Sequence, residues 1–243
     1  MVTLHVSAYA ESTSLGVTLP TVNAMYITTQ CEVPCIKPLK KQWWLMRIPN
    51  QVELRDVDSE SGQLTSLGEL WKRAPDGKMT YWYLMHDDKR VIEYLFDDLK
   101  VLGIKTDESQ WQMLTQIISD YEKSILKLHT AGSEPFLGYA AERFTGVING
   151  INVELIWLSD LHVPAMVEYQ YPKRTVKVQL IQIQDRHISS SAGKFPTKTD
   201  DVALSQYQHI YYTDIGDMEQ NDEAKEWLVR AITAPGLHTN HHH

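Results

Sequence analysis

The dipeptide Asn149-Gly150, set between "FTGVI" and "INVELIWL", constrains this chain more than any other short stretch. A two-residue type I′ turn needs positive φ at both central positions, so two apolar-rich runs joined by this pair read as an antiparallel hairpin. Strand-like sequence continues after a longer loop with "AMVEYQY" and then "TVKVQLIQIQ". In that last run Val176, Val178 and Leu180 alternate, while Ile181 and Ile183 fall on the opposite parity, which predicts a β-bulge near Leu180. The first fifty residues are rich in Val, Thr, Tyr, Ile and Trp and are punctuated by Gly16, Pro20, Pro34, Pro38 and Pro49, a pattern of several short strands. "KQWWLMRIP" is the strongest of these, with one Trp expected in the core, the other at a rim and solvated lysines at its entry.

Between these regions the periodicity changes. Val91, Ile92, Leu95, Phe96, Leu99 and Leu102 recur at helical spacing, with Asp87 or Asp88 as N-cap and Gly103 as the stop. A longer helix is predicted next, capped by Thr106 and placing Leu114, Ile117, Ile118, Tyr121, Ile125 and Leu128 on one face before Gly132. A C-terminal helix is expected from about Asp217 to Ile232. The expected fold class is therefore α+β: a mixed or antiparallel sheet with an N-terminal β-rich part, two central helices, a β-hairpin region and a C-terminal helix. Residues 1–236 form one domain in this reading, divisible into lobes of about 1–105 and 106–236, and 237–243 are a tail ending in a tag-like His241–His243.

A chain of 243 residues with 43% hydrophobic content can bury a sizeable core. The uncharged stretch Ser12–Cys31 is broken by Gly16 and Pro20 and reads as strands instead of a membrane span. No basic start followed by an apolar run opens the chain, so a cytoplasmic location is expected. Cys31 and Cys35 have CxxxC spacing, one residue longer than a redox CxxC, and are read as free, partly buried thiols. The net charge of −8 disfavours non-specific coating of nucleic acid. The basic residues nevertheless cluster between Lys173 and Lys198, and acids cluster from Asp214 to Glu226.

The stretch "VELIWLSDLHVPAMVEYQYPKR" carries the one suggestion of a chemistry. If the strands on either side of Leu161 and His162 pair, opposed residue numbers should sum to about 324, placing Glu154 opposite Gln170 and Ile156 opposite Glu168. Glu154, Glu168 and Gln170 would then share one face, near enough for carboxylates to hold a divalent cation. The order helix, strand, turn, acid-bearing strand, loop and Glu-x-Gln resembles the metal-binding core of PD-(D/E)XK nucleases over roughly fifty residues. That resemblance implies Glu154 and Glu168 as Mg²⁺ ligands, Gln170 in the place of the usual Lys, Lys173 reaching back toward the water, and Glu122 as an outer acid. Lys173, Arg174, Lys177 and Lys194 would contact a phosphate backbone. The sequence departs from the family pattern in having Glu for the first Asp, Gln for Lys, and Pro172 closing the strand.

Other motifs reduce to local structure. "RDVDSESGQ" spaces Asp56, Asp58 and Glu60 like the start of a calcium loop, but Gly62 and Leu67 break the pattern, which leaves a solvated turn. Gly193-Lys194 lacks P-loop context, "MHDDKR" reads as helix capping, and no nucleophile-elbow or dinucleotide fingerprint is present. Two readings follow. The first is a soluble interaction or accessory protein that binds a macromolecular partner, protein or nucleic acid, without membrane contact or cofactor. The alternative is the Mg²⁺-dependent nuclease.

Overall fold

Six consecutive strands form an antiparallel meander: β1 (Val22–Glu32), β2 (Leu39–Ile48), β3 (Gln51–Val57), β4 (Leu64–Arg73), β5 (Met79–Met85) and β6 (Arg90–Tyr94). A second meander contains β7 (Lys127–His129), β8 (Ala141–Ile148), β9 (Ile151–Leu158), β10 (Val163–Gln170) and β11 (Arg174–Ile183). β11 pairs antiparallel with β1, and β12 (Gln208–Tyr211) lies parallel to β6. The result is one twelve-stranded sheet in the order β12-β6-β5-β4-β3-β2-β1-β11-β10-β9-β8-β7. This computed structural model describes residues 18–129, 135–184 and 195–215, and Val229.

The topology explains where the helices go. The first meander ends near one edge of the sheet and the second begins at the other, so the chain must cross from β6 to β7. It crosses through three short helices: α1 (Phe96–Val101), α2 (Glu108–Gln116) and α3 (Asp120–Ile125). Leu99, Ile104, Trp111 and Leu114 of this crossing join the core with Tyr26, Leu45, Val52, Trp71 and Tyr81 of the strands. We call the covered side the inner face. The outer face of the first meander is covered by the segment 195–207, which includes α4 (Asp201–Leu204), whereas α5 (Tyr212–Ile215) after β12 packs on the inner face, Tyr212 stacking on Tyr94. On the outer face Leu204 packs with Leu70, Leu84 and Val91, and Glu53 accepts hydrogen bonds from Thr199 N at 2.9 Å and Thr199 Oγ1 at 2.6 Å.

This architecture is predominantly β and corrects the α+β expectation with two central helices. The expected first helix is a strand followed by one and a half turns of helix. β6 is buried on both faces, Val91 outward and Ile92 and Tyr94 inward, and consecutive apolar residues in such a strand imitate helical spacing. His86, Asp87 and Asp88 belong to the turn before it, where Lys89 has φ 49°, and cap no helix. The expected long helix ends at Ile117, whose φ of 69° is left-handed, and Asp107 rather than Thr106 caps it. Ser119 then opens α3 with a capping box to Glu122, a signal visible in "SDYE" that the apolar stripe obscured. Leu128 lies in β7. The C-terminal helix expected from Asp217 lies outside the described residues.

Several strand-level readings agree with the structure. Asn149 and Gly150 have φ of 51° and 81° between β8 and β9. The β1–β11 register slips so that Met25 faces Gln182 and Tyr26 faces Leu180, leaving Ile181 as the extra residue of a bulge. In β2, Trp44 is buried and Trp43 is half-buried. Asp58 Oδ1 caps its own turn, accepting from Glu60 N, Ser61 N and Ser61 Oγ.

Cys31 and Cys35 are joined by a disulfide at the end of β1, correcting the expectation of free thiols. Such bonds persist in oxidising compartments, so the finding points to an extracytoplasmic protein and overturns the cytoplasmic expectation. Under denaturing, non-reducing conditions we expect iodoacetamide to add no label to the chain, and two labels after reduction, as read by intact mass. Labelling before reduction would contradict the bond.

Candidate functional site

The hairpin that suggested metal chemistry forms, but with its register displaced by two residues. Glu154 faces Glu168 directly and Gln170 faces Asn152, because the register shifts between Pro164 and Met166 and the connection turns at His162, φ 50°. The two carboxylates therefore share the outer face. Each is already engaged there: Glu154 pairs with Arg143 at 2.8 Å, and Glu168 accepts from Gln170 Nε2 at 3.0 Å with Lys177 directly opposite on β11. Glu122 is held by Ser119 N and Oγ at 3.1 and 2.9 Å in its capping box. Its charge acts on Tyr169, which alternates to the face opposite Glu168. Among the described residues no group of three or more His, Cys, Asp or Glu could hold a metal ion. Lys173 is exposed in the β10–β11 turn, Arg174 stacks on Tyr171 with its guanidinium carbon 4.8 Å from the ring centroid, and Lys194 lies outside the described residues. Nuclease, magnesium and nucleic-acid binding are thereby withdrawn: the carboxylates belong to a cross-strand charge ladder on an exposed sheet face.

The inner face holds two charged groups with opposite fates. Arg47 of β2 is 1% exposed and sits in the cross-strand row Val22–Arg47–Val52–Trp71–Tyr81–Tyr94. Its Nε donates to Pro20 O at 3.0 Å, its Nη1 to Thr115 O at 2.6 Å and His162 O at 3.0 Å, and its Nη2 to Leu161 O. One guanidinium thus ties β2 to the chain preceding β1, the last turn of α2 and the β9–β10 connection. Burial pulls its pKa down to about 10, opposed by the nearby Tyr26, so it remains charged at neutral pH.

Glu69 of β4 is the contrasting case. It stands in the row Ile183–Ala24–Leu45–Leu54–Glu69–Tyr83–Ile92–Ile210, which crosses eight strands and is apolar or aromatic at every other position. All seven neighbours in that row belong to the main hydrophobic cluster or pack against it. The residue as a whole is half-buried, but Oε2 is buried and has no hydrogen-bond partner of acceptable geometry. Trp71, two residues along the same face, likewise has a buried indole Nε1 without a hydrogen bond of acceptable geometry. Burial pushes the Glu69 carboxyl up to about 7; Trp71 and Lys41 oppose the shift and Asp56 adds to it. Lys41 is itself paired with Asp56 at 2.9 Å.

Glu69 Oε2 and Trp71 Nε1 are buried without a well-formed hydrogen bond, exceptions to the rule that interior polar atoms find partners, although the indole N–H lies close enough to the carboxyl to act on it as a donor and lower its pKa. Sequence reasoning missed them because "GELWKR" gives no sign that Glu69 rather than Lys72 faces inward. The one available signal was parity with Trp71.

A cleft of about 560 Å³ at the opposite end from the disulfide lies beside the β4–β5 turn and the start of α1. Its cations are already matched: Lys78 pairs with Asp76 at 3.3 Å, Arg73 with Glu108 at 2.5 Å, and Lys72 lies 3.3 Å from the Trp82 ring centroid. Glu69 and Trp71 offer the stronger candidate.

No family model matches the chain, and no curated protein matches it. Among solved structures, PNGF-II aligns over 82% of this chain and 34% of its own, at 10% identity and a TM-score of 0.38. This chain therefore spans about a third of the length of PNGF-II. An uncharacterized conserved protein from Thermus thermophilus aligns over 77% of this chain and 90% of its own, at 11% identity and a TM-score of 0.35. A LolA-superfamily protein from Nitrosomonas europaea aligns over 70% and 88%, at 11% identity and a TM-score of 0.30. At these scores the likenesses assign neither family nor function, and the site must be read from its own geometry.

Proposed function

We propose that this chain is an extracytoplasmic binding protein that holds an apolar or amphiphilic ligand against the inner face of its sheet, with Glu69 and Trp71 receiving the ligand's polar group. The observation that carries this reading is the buried Glu69 Oε2, which has no well-formed hydrogen bond in an otherwise apolar row across eight strands. A concave apolar surface with a few convergent polar atoms is the usual form of a small-molecule site. Glu69 offers an acceptor and Trp71 a donor, so a hydroxyl or amide, which both donates and accepts, matches the pair. Trp43 and Leu54, half-buried on the same face, supply apolar contact.

The test is uptake of the fluorescent amphiphile N-phenyl-1-naphthylamine, followed by displacement with long-chain alcohols, amides and alkanes. We expect alcohols and amides to displace the probe better than alkanes of equal length, and Glu69→Leu to remove that preference by about ten-fold, the worth of one hydrogen bond to a charged or buried group. Absence of probe uptake, or a preference unchanged by the substitution, overturns the reading.

The same carboxyl gives a pH signature. Between about pH 4.5 and 7 the folded chain retains a proton on Glu69 that the unfolded chain releases. Stability consequently falls as pH rises through this window, by up to about 3 kcal/mol. Glu69→Gln should flatten the slope in urea unfolding measured from pH 4.5 to 7. It should not abolish it, because Glu53 is also pushed up by burial.

A further inference from the structure

The β1–β2 connection is built unlike the other turns of the sheet. Val33, Ile36 and Leu39 are 55%, 88% and 70% exposed, three aliphatic side chains within seven residues at one end of the molecule. The Cys31–Cys35 disulfide closes the base of this loop, and Val33 N donates to Lys173 O at 2.9 Å, binding it to the neighbouring β10–β11 turn. Lys37, Lys40 and Lys41 lie between and beside the aliphatic residues, and no acid occurs from Val33 to Gln42, although the chain as a whole carries −8. Lys173 is exposed alongside, and Arg174 faces Glu32 across the β1–β11 pair. Lys41 is engaged by Asp56, and Asp58 and Glu60 occupy the next turn, so the positive charge is concentrated on Lys37, Lys40 and Lys173.

We propose that this braced loop docks the protein on an anionic lipid surface, with Ile36 and Leu39 entering the headgroup–acyl boundary and Lys37, Lys40 and Lys173 meeting the anionic headgroups. The charge pattern favours lipid over a protein partner. Interface centres are enriched in Trp, Tyr and Arg and depleted in Lys, whereas the loop from Val33 to Lys41 carries aliphatic residues and lysines and no aromatic residue. Aliphatic insertion combined with lysine attraction to anionic lipid is the two-signal arrangement that gives stable peripheral attachment. The disulfide lowers the cost by holding the loop ordered before contact. This inference does not rest on the ligand reading of the inner face.

The experiment is flotation of the full chain with vesicles of phosphatidylethanolamine and phosphatidylglycerol, and with vesicles of phosphatidylcholine alone. We expect association with the anionic vesicles that weakens with salt, little with phosphatidylcholine, and a loss of more than ten-fold for Ile36→Asp/Leu39→Asp. Lys37→Gln and Lys40→Gln should each weaken association about five-fold. Unchanged far-ultraviolet circular dichroism shows that these surface variants are folded, and Glu69→Gln should float like the wild type, separating this result from the ligand test. No association with anionic vesicles, or association indifferent to Ile36→Asp/Leu39→Asp, overturns the proposal, as does a protein partner captured by the tip of a chain that ignores vesicles.

Discussion

Replacing Arg47 with Leu should destabilise the fold by about 3–5 kcal/mol in urea unfolding, among the largest losses available to a single residue outside the tryptophans. The guanidinium is the common donor to carbonyls of Pro20, Thr115, Leu161 and His162, which come from three separate parts of the chain. A leucine fills part of the volume and satisfies none of them. Each buried carbonyl left without a donor costs on the order of 1–3 kcal/mol, and water entering the gap recovers part of that. Arg47→Lys should recover less than half, since an ammonium has three donors and cannot reproduce the planar fork. An Arg47→Leu chain as stable as wild type would show that the crossing helices are held by apolar contact alone.

The second large effect is expected at Trp44. Its side chain is 0% exposed on the outer face of β2, and its Nε1 donates to Asn23 Oδ1 at 2.6 Å. Asn23 in turn donates through Nδ2 to Gln184 Oε1 at 2.6 Å and to Pro196 O at 2.8 Å. Trp44→Ala removes the packing and strands the Asn23 acceptor, with an expected loss of about 3–5 kcal/mol. Trp44→Phe keeps most of the volume and should cost about 1–2 kcal/mol, the share belonging to the lost hydrogen bond. If the Phe variant loses as much as the Ala variant, the hydrogen-bond chain matters more than the packed ring. Equal stability of Phe and wild type would place the whole effect in packing.

The inner face shows how similar environments yield different roles. Arg47 and Glu69 both lie on the sheet side that faces the helical crossing, and burial disfavours the charge of each. Arg47 has found four carbonyls and is structural. Glu69 Oε2 has found none, and this difference is what the proposed ligand site rests on.

The β-hairpins were legible in the sequence because their signals are local. Asn149-Gly150 meets a backbone requirement by itself, the parity change at Ile181 marks a bulge by itself, and the pair Trp43-Trp44 must point to opposite faces of any strand. Helix content was not legible, since a strand covered on both faces, such as β6, has no alternation to display and its apolar run was taken for a helical stripe. The metal-site expectation failed for a related reason. Strand register depends on where the connection turns, and a two-residue displacement of the pairing changed which residues face each other, while Arg143, which pairs with Glu154, and Lys177, which stands opposite Glu168, come from neighbouring strands.

The sequence alone therefore determined the short-range strand features: turns that need particular φ values, and the bulge. Only tertiary structure decided that one sheet would unite β1 with β11, that Cys31 and Cys35 would meet, and that Glu69 would face a row of apolar residues from seven other strands. The physical reason is that burial and charge compensation depend on neighbours distant in sequence, and no local pattern encodes which neighbours the fold will bring.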